Sequence, residues 1–186
     1  KVTEGTQGNG VILCHNPPEA RRIVEAMLRT GVNVIIQQYV RESHGTDVRM
    51  LVVGDEVVAA MRRRARGDEF RSNYHLNGTV ERFDPPEEYV RTALDAARIL
   101  GLNVAGVDLL DGSDGPLLLE VNSSPGLQGI EEASGVNVAS KIIEFVIESS
   151  HFSPADLEPL MRSRKGHGVL RLPIPAAAGV VGQSLD

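Results

Sequence analysis

Three oxygen-bearing side chains, Asp108, Glu120 and Asn122, lie within two of the most apolar runs of the sequence, GVDLL and PLLLEVN. Burying a carboxylate is costly unless a cation or a set of hydrogen bonds compensates for the lost hydration. The pattern therefore predicts either that these side chains face solvent or that a cation binds them.

The connection between the two runs, DGSDG, is typical of a tight turn between antiparallel strands. With the turn centred near Asp114, Asp108 lies opposite Glu120 and Gly106 lies opposite Asn122, where the glycine leaves room for a ligand. Because side chains alternate between the faces of a strand, the two carboxylates and the amide would share one face. Opposed carboxylates repel each other, but with an amide oxygen they form an all-oxygen set that suits Mg²⁺ or Mn²⁺. The alternative is a hairpin whose polar face simply meets water.

Basic residues are concentrated in one segment of an otherwise acidic chain. They are Arg62, Arg63, Arg64, Arg66 and Arg71. Alternation along a strand would send Arg62 and Arg64 to one face, where their charge would suit a phosphate group. The alternative is a solvated strand edge. The glycine-rich segment GTQGNG likewise suits either backbone contacts to phosphate oxygens or an ordinary flexible hairpin.

The overall composition narrows the classes of function. The 186 residues are 41% hydrophobic, and the formal charge of −6 argues against a general nucleic-acid-binding protein. No apolar run approaches the ~20 residues that span a bilayer. Cys14 is the only cysteine, so we expect a reducing, cytoplasmic environment. The chain opens at Lys1 without a methionine, directly before the glycine-rich segment, and we expect that it begins in the middle of a domain.

The elements that must position these residues form an irregular alternation of strands and helices. Helices are predicted for PEARRIVEAMLRT after Asn16, for PPEEYVRTALDAARILG and for NVASKIIEFVIES. Strands are predicted for VILCH, for NVIIQQYV as a buried strand, for a hairpin around Gly54, and for Gly106–Leu110 and Pro116–Asn122. This order favours an α+β fold with a mixed, largely antiparallel sheet and flanking helices. We expect a domain over residues 1–149 and an extension or tail over 150–186.

Several stretches, in order along the chain, together resemble the ATP-grasp ligases. They are Lys1 with EGTQGNGV, then QQYV, DVRMLVVGDEVVAAMRRRA, FRSN, AGVD and LEVNSSPGLQGIE, and the similarity runs from Lys1 to about Glu148. Within that superfamily the chain is similar to the RimK-type ligases, which add glutamate to the C-terminus of a small-subunit ribosomal protein. The resemblance implies the ATP-grasp fold, with residues 1–149 forming the C-terminal part of its catalytic domain.

The resemblance also implies binding roles for the matching residues. The nucleotide would be bound by Lys1, Gln38, Tyr39, Asp47, Arg71, Ser72 and Asn73. Lys1 would contact the phosphates of ATP, Gln38 and Tyr39 would hold adenine, and Asp47 would lie near the ribose. Arg71, Ser72 and Asn73 would lie near the phosphates or the substrate carboxylate. The family often has Glu where Gln38 stands, which affects a charged adenine contact but spares backbone contacts.

The same resemblance implies the metal site and the reaction. Asp108, Glu120 and Asn122 would bind two divalent ions, Mg²⁺ or Mn²⁺, that bridge the phosphates of ATP. Phosphoryl transfer to a substrate carboxylate would give an acyl phosphate, which the amine of glutamate attacks while Arg71 stabilises the oxyanion. No side-chain nucleophile is required. The carboxylate acceptor would be a protein C-terminus, and a homo-oligomer is compatible with the sequence.

Two alternative functions stay open at this point. One is an ATP-grasp ligase with another substrate, of the D-alanine–D-alanine, lysine-biosynthesis or cofactor-glutamylating type. The other is a nucleotide-binding module without turnover. ATP-grasp enzymes carry another lysine and a substrate-binding region before the position of Lys1, so we expect residues 1–186 alone to be inactive or feebly active.

Overall fold

The fold is built on one five-stranded antiparallel sheet with helices packed against it. The structure is a computed structural model and describes residues 1–3, 10–67, 69–70 and 78–149. The strands are β1 (Thr46–Val53), β2 (Glu56–Arg64), β3 (Thr79–Arg82), β4 (Val104–Gly112) and β5 (Gly115–Asn122). Their order across the sheet is β3-β2-β1-β4-β5, and every neighbouring pair is antiparallel. The predicted α+β class with a largely antiparallel sheet is confirmed.

Four α-helices and one short 3₁₀ turn complete the described part of the chain. They are α1 (Pro17–Arg29), the 3₁₀ turn (Arg41–Ser43), α2 (Glu87–Ile99), α3 (Gln128–Ser134) and α4 (Val138–Ser149). The three predicted helices correspond to α1, α2 and α4. The side chain of Asn16 accepts a hydrogen bond from the Glu19 N–H at 3.0 Å, so it caps α1 as its residue type indicates.

The hairpin predicted around Gly54 is confirmed by the pairing of β1 with β2. Gly54 has φ +60°, a conformation that favours glycine, and it makes the tight turn possible. The same glycine lets the chain approach Phe145 closely, since an added Cβ would lie 2.7 Å from the Phe145 ring.

Two predicted strands, VILCH and NVIIQQYV, do not form. The second run is mostly exposed, and its pairing is a single bridge between Val34 and Val2 with flanking backbone hydrogen bonds. A β-branched run becomes a strand only where a neighbouring chain offers a ladder of partners. Among the residues that the structure describes, only the short segment 1–3 does so.

The core divides between the two faces of the sheet. On one face α2 packs over Val48, Met50 and Val107, all fully buried. On the other face Leu51 and Met61 pack with Ile130 of α3 and Val138 of α4. The second face is only partly covered by these helices, and the rest of it carries charged residues.

The internal contacts of the chain group Lys1–Phe145 as one compact unit and Val146–Asp186 as another. The structure describes only residues 146–149 of the second unit, so the predicted boundary near residue 150 stays a prediction. Within the described ranges, no helix has both the length and the apolar character needed to cross a bilayer.

Candidate nucleotide and metal site

The β4–β5 hairpin brings together the three oxygen-bearing residues as the sequence predicts. Asp108 pairs with Glu120 and Gly106 pairs with Asn122. Near the turn the register differs by one residue from the prediction, because the connection is shorter and Gly112 pairs with Gly115. From Leu109–Leu118 to Asp108–Glu120, β5 advances by two residues and β4 by one. Leu119 is therefore an extra residue, a β-bulge that restores the predicted register at the site.

Asp108 is the buried centre of a charged network on this face. It is 1% exposed and lies opposite Arg49 of β1 in the sheet. Arg49 donates from Nε and Nη2 to the two carboxylate oxygens at 2.7 and 2.6 Å. Arg63 of β2 adds a third hydrogen bond, from Nη2 to Oδ2 of Asp108, at 2.9 Å. The same arginine donates to both carboxylate oxygens of Asp47 at 2.5 and 2.6 Å.

The network keeps its members charged despite their burial. Burial alone would raise the pKa of Asp108, but its hydrogen bonds and charge interactions with Arg49 and Arg63 outweigh that effect and lower it. Burial likewise opposes the charge of Arg63, yet the carboxylates of Asp108 and Asp47 outweigh it and raise the pKa of the guanidinium. Asp108 is therefore ionised at neutral pH.

Glu120 and Asn122 form the exposed side of the site. Lys1 donates from Nζ to Oε2 of Glu120 at 3.3 Å, and the Asn122 amide donates to Oε1 at 3.4 Å. The Glu120 side chain is 44% exposed, in contrast to Asp108. Lys1 therefore brings a positive charge next to the negative charge of Glu120 at this site.

The donor chemistry of this set fits a hard divalent cation. Glu120 and the Asn122 amide offer exposed oxygens, which Mg²⁺ and Mn²⁺ prefer. A carboxylate has about four acceptor positions. The arginines fill three of these on Asp108, leaving one on Oδ1. Asp108, Glu120 and Asn122 together offer two carboxylates and one amide, so the set contains only two acidic side chains. In the ranges that the structure describes, no three His, Cys, Asp or Glu side chains are arranged to hold a metal.

The space opposite Asn122 is not left open for a ligand, contrary to the expectation from Gly106. A Cβ built on Gly106 would lie 2.7 Å from Cβ of Pro125. The glycine therefore allows the segment that follows β5 to pack onto β4. This close approach places residues 123–127 over the sheet, next to Asn122.

The arginine that reaches the carboxylates is Arg63, not the alternate pair Arg62 and Arg64. Those two do share a side of β2, as predicted. Arg62 pairs with Asp111 and lies over the Phe83 ring, 4.7 Å from its centroid, and Arg64 pairs with Glu81. The expectation that these two serve a phosphate is not supported by their position, because alternation along β2 turns them to the face opposite Arg63 and Asp108.

Gln38 and Tyr39 line a cleft beside the hairpin. The cavity has a volume of about 410 Å³ and lies between residues 37–40 and the β4–β5 hairpin, with Leu110 and Leu118 among its lining. The Tyr39 hydroxyl hydrogen-bonds Nδ1 of His44, and the two rings meet edge to face. We call residues 37–40, which form one wall of this cleft, the hinge segment.

The remaining predicted site residues have different outcomes. Asp47 is buried in its ion pair with Arg63, so its predicted position near a ribose stays a prediction. Arg71, Ser72 and Asn73 lie outside the described residues. Sequence reasoning missed Arg49, whose signal is a charge within the apolar run VRMLVV.

Comparison with known proteins agrees with the resemblance. Residues 1–146 match the RimK-like ATP-grasp domain. A probable alpha-L-glutamate ligase of Rhodopirellula baltica is 47% identical over 186 residues, which cover all of this chain and 46% of that protein. A probable alpha-L-glutamate ligase of Aeromonas salmonicida is 56% identical over 146 residues, covering 78% of this chain and 49% of the relative. The chain thus spans about half the length of the curated relatives it matches.

Solved structures show the same fold at lower sequence identity. The ATP-grasp ligase PsnB, complexed with a phosphomimetic variant of a minimal precursor, Mg and ADP, has a TM-score of 0.52 at 24% identity, covering 72% of this chain and 39% of PsnB. The D-alanine–D-alanine ligase of Bacillus anthracis has a TM-score of 0.54 at 16% identity, covering 80% and 52%. These matches confirm the predicted ATP-grasp fold.

Proposed function

The chain belongs to the RimK-like ATP-grasp family, and from this premise we propose that its protein is an ATP-dependent carboxylate–amine ligase that adds glutamate to an acceptor carboxylate. The observation that carries the proposal is the register of β4 and β5. It sets Asp108, Glu120 and Asn122 at neighbouring positions, with Lys1 bound to Glu120. The names of the two glutamate ligases that the chain resembles support the same reaction class.

Different residues of the chain would bind the metal ions, the phosphates and the adenine of ATP. Glu120, Asn122 and the remaining acceptor position of Asp108 would hold two divalent ions, Mg²⁺ or Mn²⁺. When bound, such ions neutralise phosphate charge and orient the terminal phosphoryl group of ATP. Lys1 would exchange its contact with Glu120 for a phosphate oxygen. The hinge segment would hold adenine, with Gln38 and Tyr39 as its central residues.

Arg49 and Arg63 keep Asp108 ionised and fixed in place. Arg49 holds the carboxylate from the adjacent strand β1 and Arg63 from β2, the strand beyond it, so Asp108 would lose little rotational freedom when ligands bind. Asp47 holds Arg63 from the other side, at 2.5 and 2.6 Å.

The reaction that we propose has two steps. The acceptor carboxylate takes the terminal phosphoryl group of ATP, giving an acyl phosphate and ADP. The amine of glutamate then attacks the acyl carbon, phosphate leaves, and an amide bond remains. We assign stabilisation of the developing oxyanion to Arg71, with Ser72 and Asn73 near the phosphates or the acceptor carboxylate, on the strength of the resemblance.

The acceptor that we propose is the C-terminal carboxylate of a small-subunit ribosomal protein, modified in the cytoplasm. Similarity to the RimK-type ligases supports this choice. The proposal requires no direct contact with nucleic acid, in keeping with the formal charge of −6.

The test is a ligase assay on the full-length natural protein with ATP, Mg²⁺, glutamate and candidate acceptors. We expect glutamate- and acceptor-dependent release of ADP, with a gain of one or more glutamate residues in the mass of the acceptor. Release that depends on D-alanine, or on another amine instead of glutamate, would identify a different ATP-grasp ligase. ATP binding without release for any acceptor would identify a binding module.

The metal site has its own test. Glu120→Gln should weaken Mn²⁺ binding, which electron paramagnetic resonance measures without any turnover. Glu144→Gln is a matched control, since Glu144 is also an exposed carboxylate paired with a lysine, Lys141 at 3.1 Å. Equal Mn²⁺ binding by the two variants would contradict the assignment of Glu120.

A further inference from the structure

Asp111 belongs to the β4–β5 hairpin, near the end of β4. It is hydrogen-bonded to Ser43, which follows the hinge segment in the chain. Its neighbours Leu110 and Gly112 line the cavity, together with residues 37–40 of the hinge segment. Asp111 is absent from that lining, because alternation along β4 turns its side chain to the other face. Its side chain and backbone together contact residues from three different elements.

The backbone of Asp111 is held by Ser43, the last residue of the 3₁₀ turn that follows the hinge segment. The Ser43 hydroxyl accepts from the Asp111 N–H at 2.6 Å and lies 3.1 Å from the Asp111 carbonyl oxygen, to which it can donate. The pairing of β1 with β4 ends at Leu109, and Pro116 opposite Asp111 has no N–H to donate. Ser43, only 5% exposed, therefore takes the place of a strand neighbour.

The side chain of Asp111 is fixed to the core. The Tyr89 hydroxyl of α2 donates to Oδ1 at 2.6 Å, and Arg62 of β2 pairs with the same carboxylate while lying over Phe83. Tyr89 is 8% exposed and packs within the core on this face of the sheet. Burial opposes ionisation of Asp111, but the hydrogen bonds from Arg62 and Tyr89 outweigh it and lower its pKa.

From this geometry we propose that Asp111 and Ser43 are positioning residues that set the distance between the hinge segment and the hairpin, and hence the fit of the nucleobase. The proposal rests on the proposed ATP-dependent function. Hydrogen bonds link Tyr89 to Asp111 and Asp111 to Ser43, and the hinge segment lies within a few residues of Ser43. Neither residue lines the cavity, so the effect on the nucleobase would pass through Gln38 and Tyr39, which do.

The experiment compares binding of Mg–ATP and Mg–tripolyphosphate to the full-length natural protein by calorimetry. Tripolyphosphate shares the phosphate chain of ATP but lacks the base and the ribose. Ser43→Ala removes one hydroxyl and both of its backbone hydrogen bonds, so we expect ATP affinity to fall roughly five- to thirtyfold while tripolyphosphate affinity stays unchanged.

Ser134→Ala is the matched control. The Ser134 hydroxyl also makes two backbone hydrogen bonds, donating to Ile130 O at 2.6 Å and accepting from Val136 N–H at 3.2 Å, and it lines no part of the cleft. Its removal tests the effect of a lost serine hydroxyl as such. We expect both ligands to bind this variant as they bind the natural protein.

A second measurement needs no ligand. Amide hydrogen exchange at Asp111, read by NMR, should become roughly five- to tenfold faster in Ser43→Ala and stay unchanged in Ser134→Ala. Unchanged exchange at Asp111 would overturn the link between the two residues. Equal losses for ATP and tripolyphosphate, or no loss for ATP, would overturn the effect on the nucleobase. If the natural protein binds no ATP, the proposed function fails, and the exchange measurement still decides whether Ser43 holds Asp111.

Discussion

Replacing Arg63 with methionine removes the cation that links two buried carboxylates. The Arg63 side chain is 4% exposed and donates three hydrogen bonds, two to Asp47 and one to Asp108, at 2.5 to 2.9 Å. Removing one partner of a buried ion pair costs about 3–5 kcal/mol, because the remaining charge stays out of water without compensation. Asp108 keeps its two hydrogen bonds from Arg49, which limits the loss at that carboxylate.

We therefore expect Arg63→Met to lower the free energy of unfolding by about 3–5 kcal/mol, out of the roughly 5–15 kcal/mol typical of a domain. The measurement is urea unfolding followed by circular dichroism at neutral pH. Methionine keeps much of the apolar volume of the arginine stem, so the loss reports mainly on the charge and its hydrogen bonds.

Arg64→Met is the control from the next position of the same strand. Arg64 pairs with Glu81 at 2.8 Å, but both side chains are 52% exposed. Exposed pairs contribute about 0–1 kcal/mol, so this variant should unfold almost as the natural chain does. If Arg63→Met and Arg64→Met lie within about 1 kcal/mol of each other, the reasoning from burial is wrong.

Three further predictions concern pH and packing. Burial opposes the charge of Asp111, but its neighbours lower its pKa, so its contribution to stability is present above the ordinary value of about 4 and lost as the pH falls below it. Unfolding measured across the acid range should accordingly show a shallower loss for Asp111→Asn. Burial and the hydrogen bond to Asp111 raise the pKa of Tyr89 to about 12, so its contribution is complete below about pH 10 and lost as the pH rises through 12. An ultraviolet titration should lose a phenolate step near pH 12 in Tyr89→Phe, and an unchanged curve would contradict this. Gly106→Ala places a Cβ 2.7 Å from Pro125 and should cost roughly 1–3 kcal/mol in thermal or urea unfolding, whereas Gly126→Ala, with nothing within 4 Å, should cost little.

The hairpin that carries the candidate metal site could be predicted from local sequence because two local rules suffice. A tight turn sets the register, and alternation along each strand sets the face. The predicted centre of the turn, Asp114, lies half a residue from the observed centre. The predicted pairing of Asp108 with Glu120 is nevertheless correct, because the bulge at Leu119 compensates for the difference.

The partners of Asp108 could not be predicted in the same way. Arg49 and Arg63 meet it through the pairings of β1 with β4 and β1 with β2, which join residues far apart in the chain. No local pattern encodes such a register. The charge of Arg49 within the apolar run VRMLVV indicates that this residue needs a partner, but it does not indicate which residue that partner is.

The missed elements are short and lack a strong pattern. β3 is four residues long and carries two charges, and α3 spans seven residues with Gly129 near its start. Gly135, with φ +72°, ends α3 and is the clearest signal in the sequence for a helix there. The run NVIIQQYV shows the opposite error. Its β-branched composition predicts a strand, but the described part of the chain offers it no neighbouring strand.

The bulge at Leu119 separates the hairpin into two halves that tolerate change differently. Beyond it, toward Ser113 and Asp114, we expect a change in loop length to leave the pairing of Glu120 unchanged, because the bulge already separates the register of the turn from that of the site. On the other side of the bulge, a single inserted residue before Glu120 would shift the register. The Glu120 carboxylate would then turn away from its neighbours. A peptide tag or a fluorescent reporter grafted at the tip should therefore leave the cation site intact.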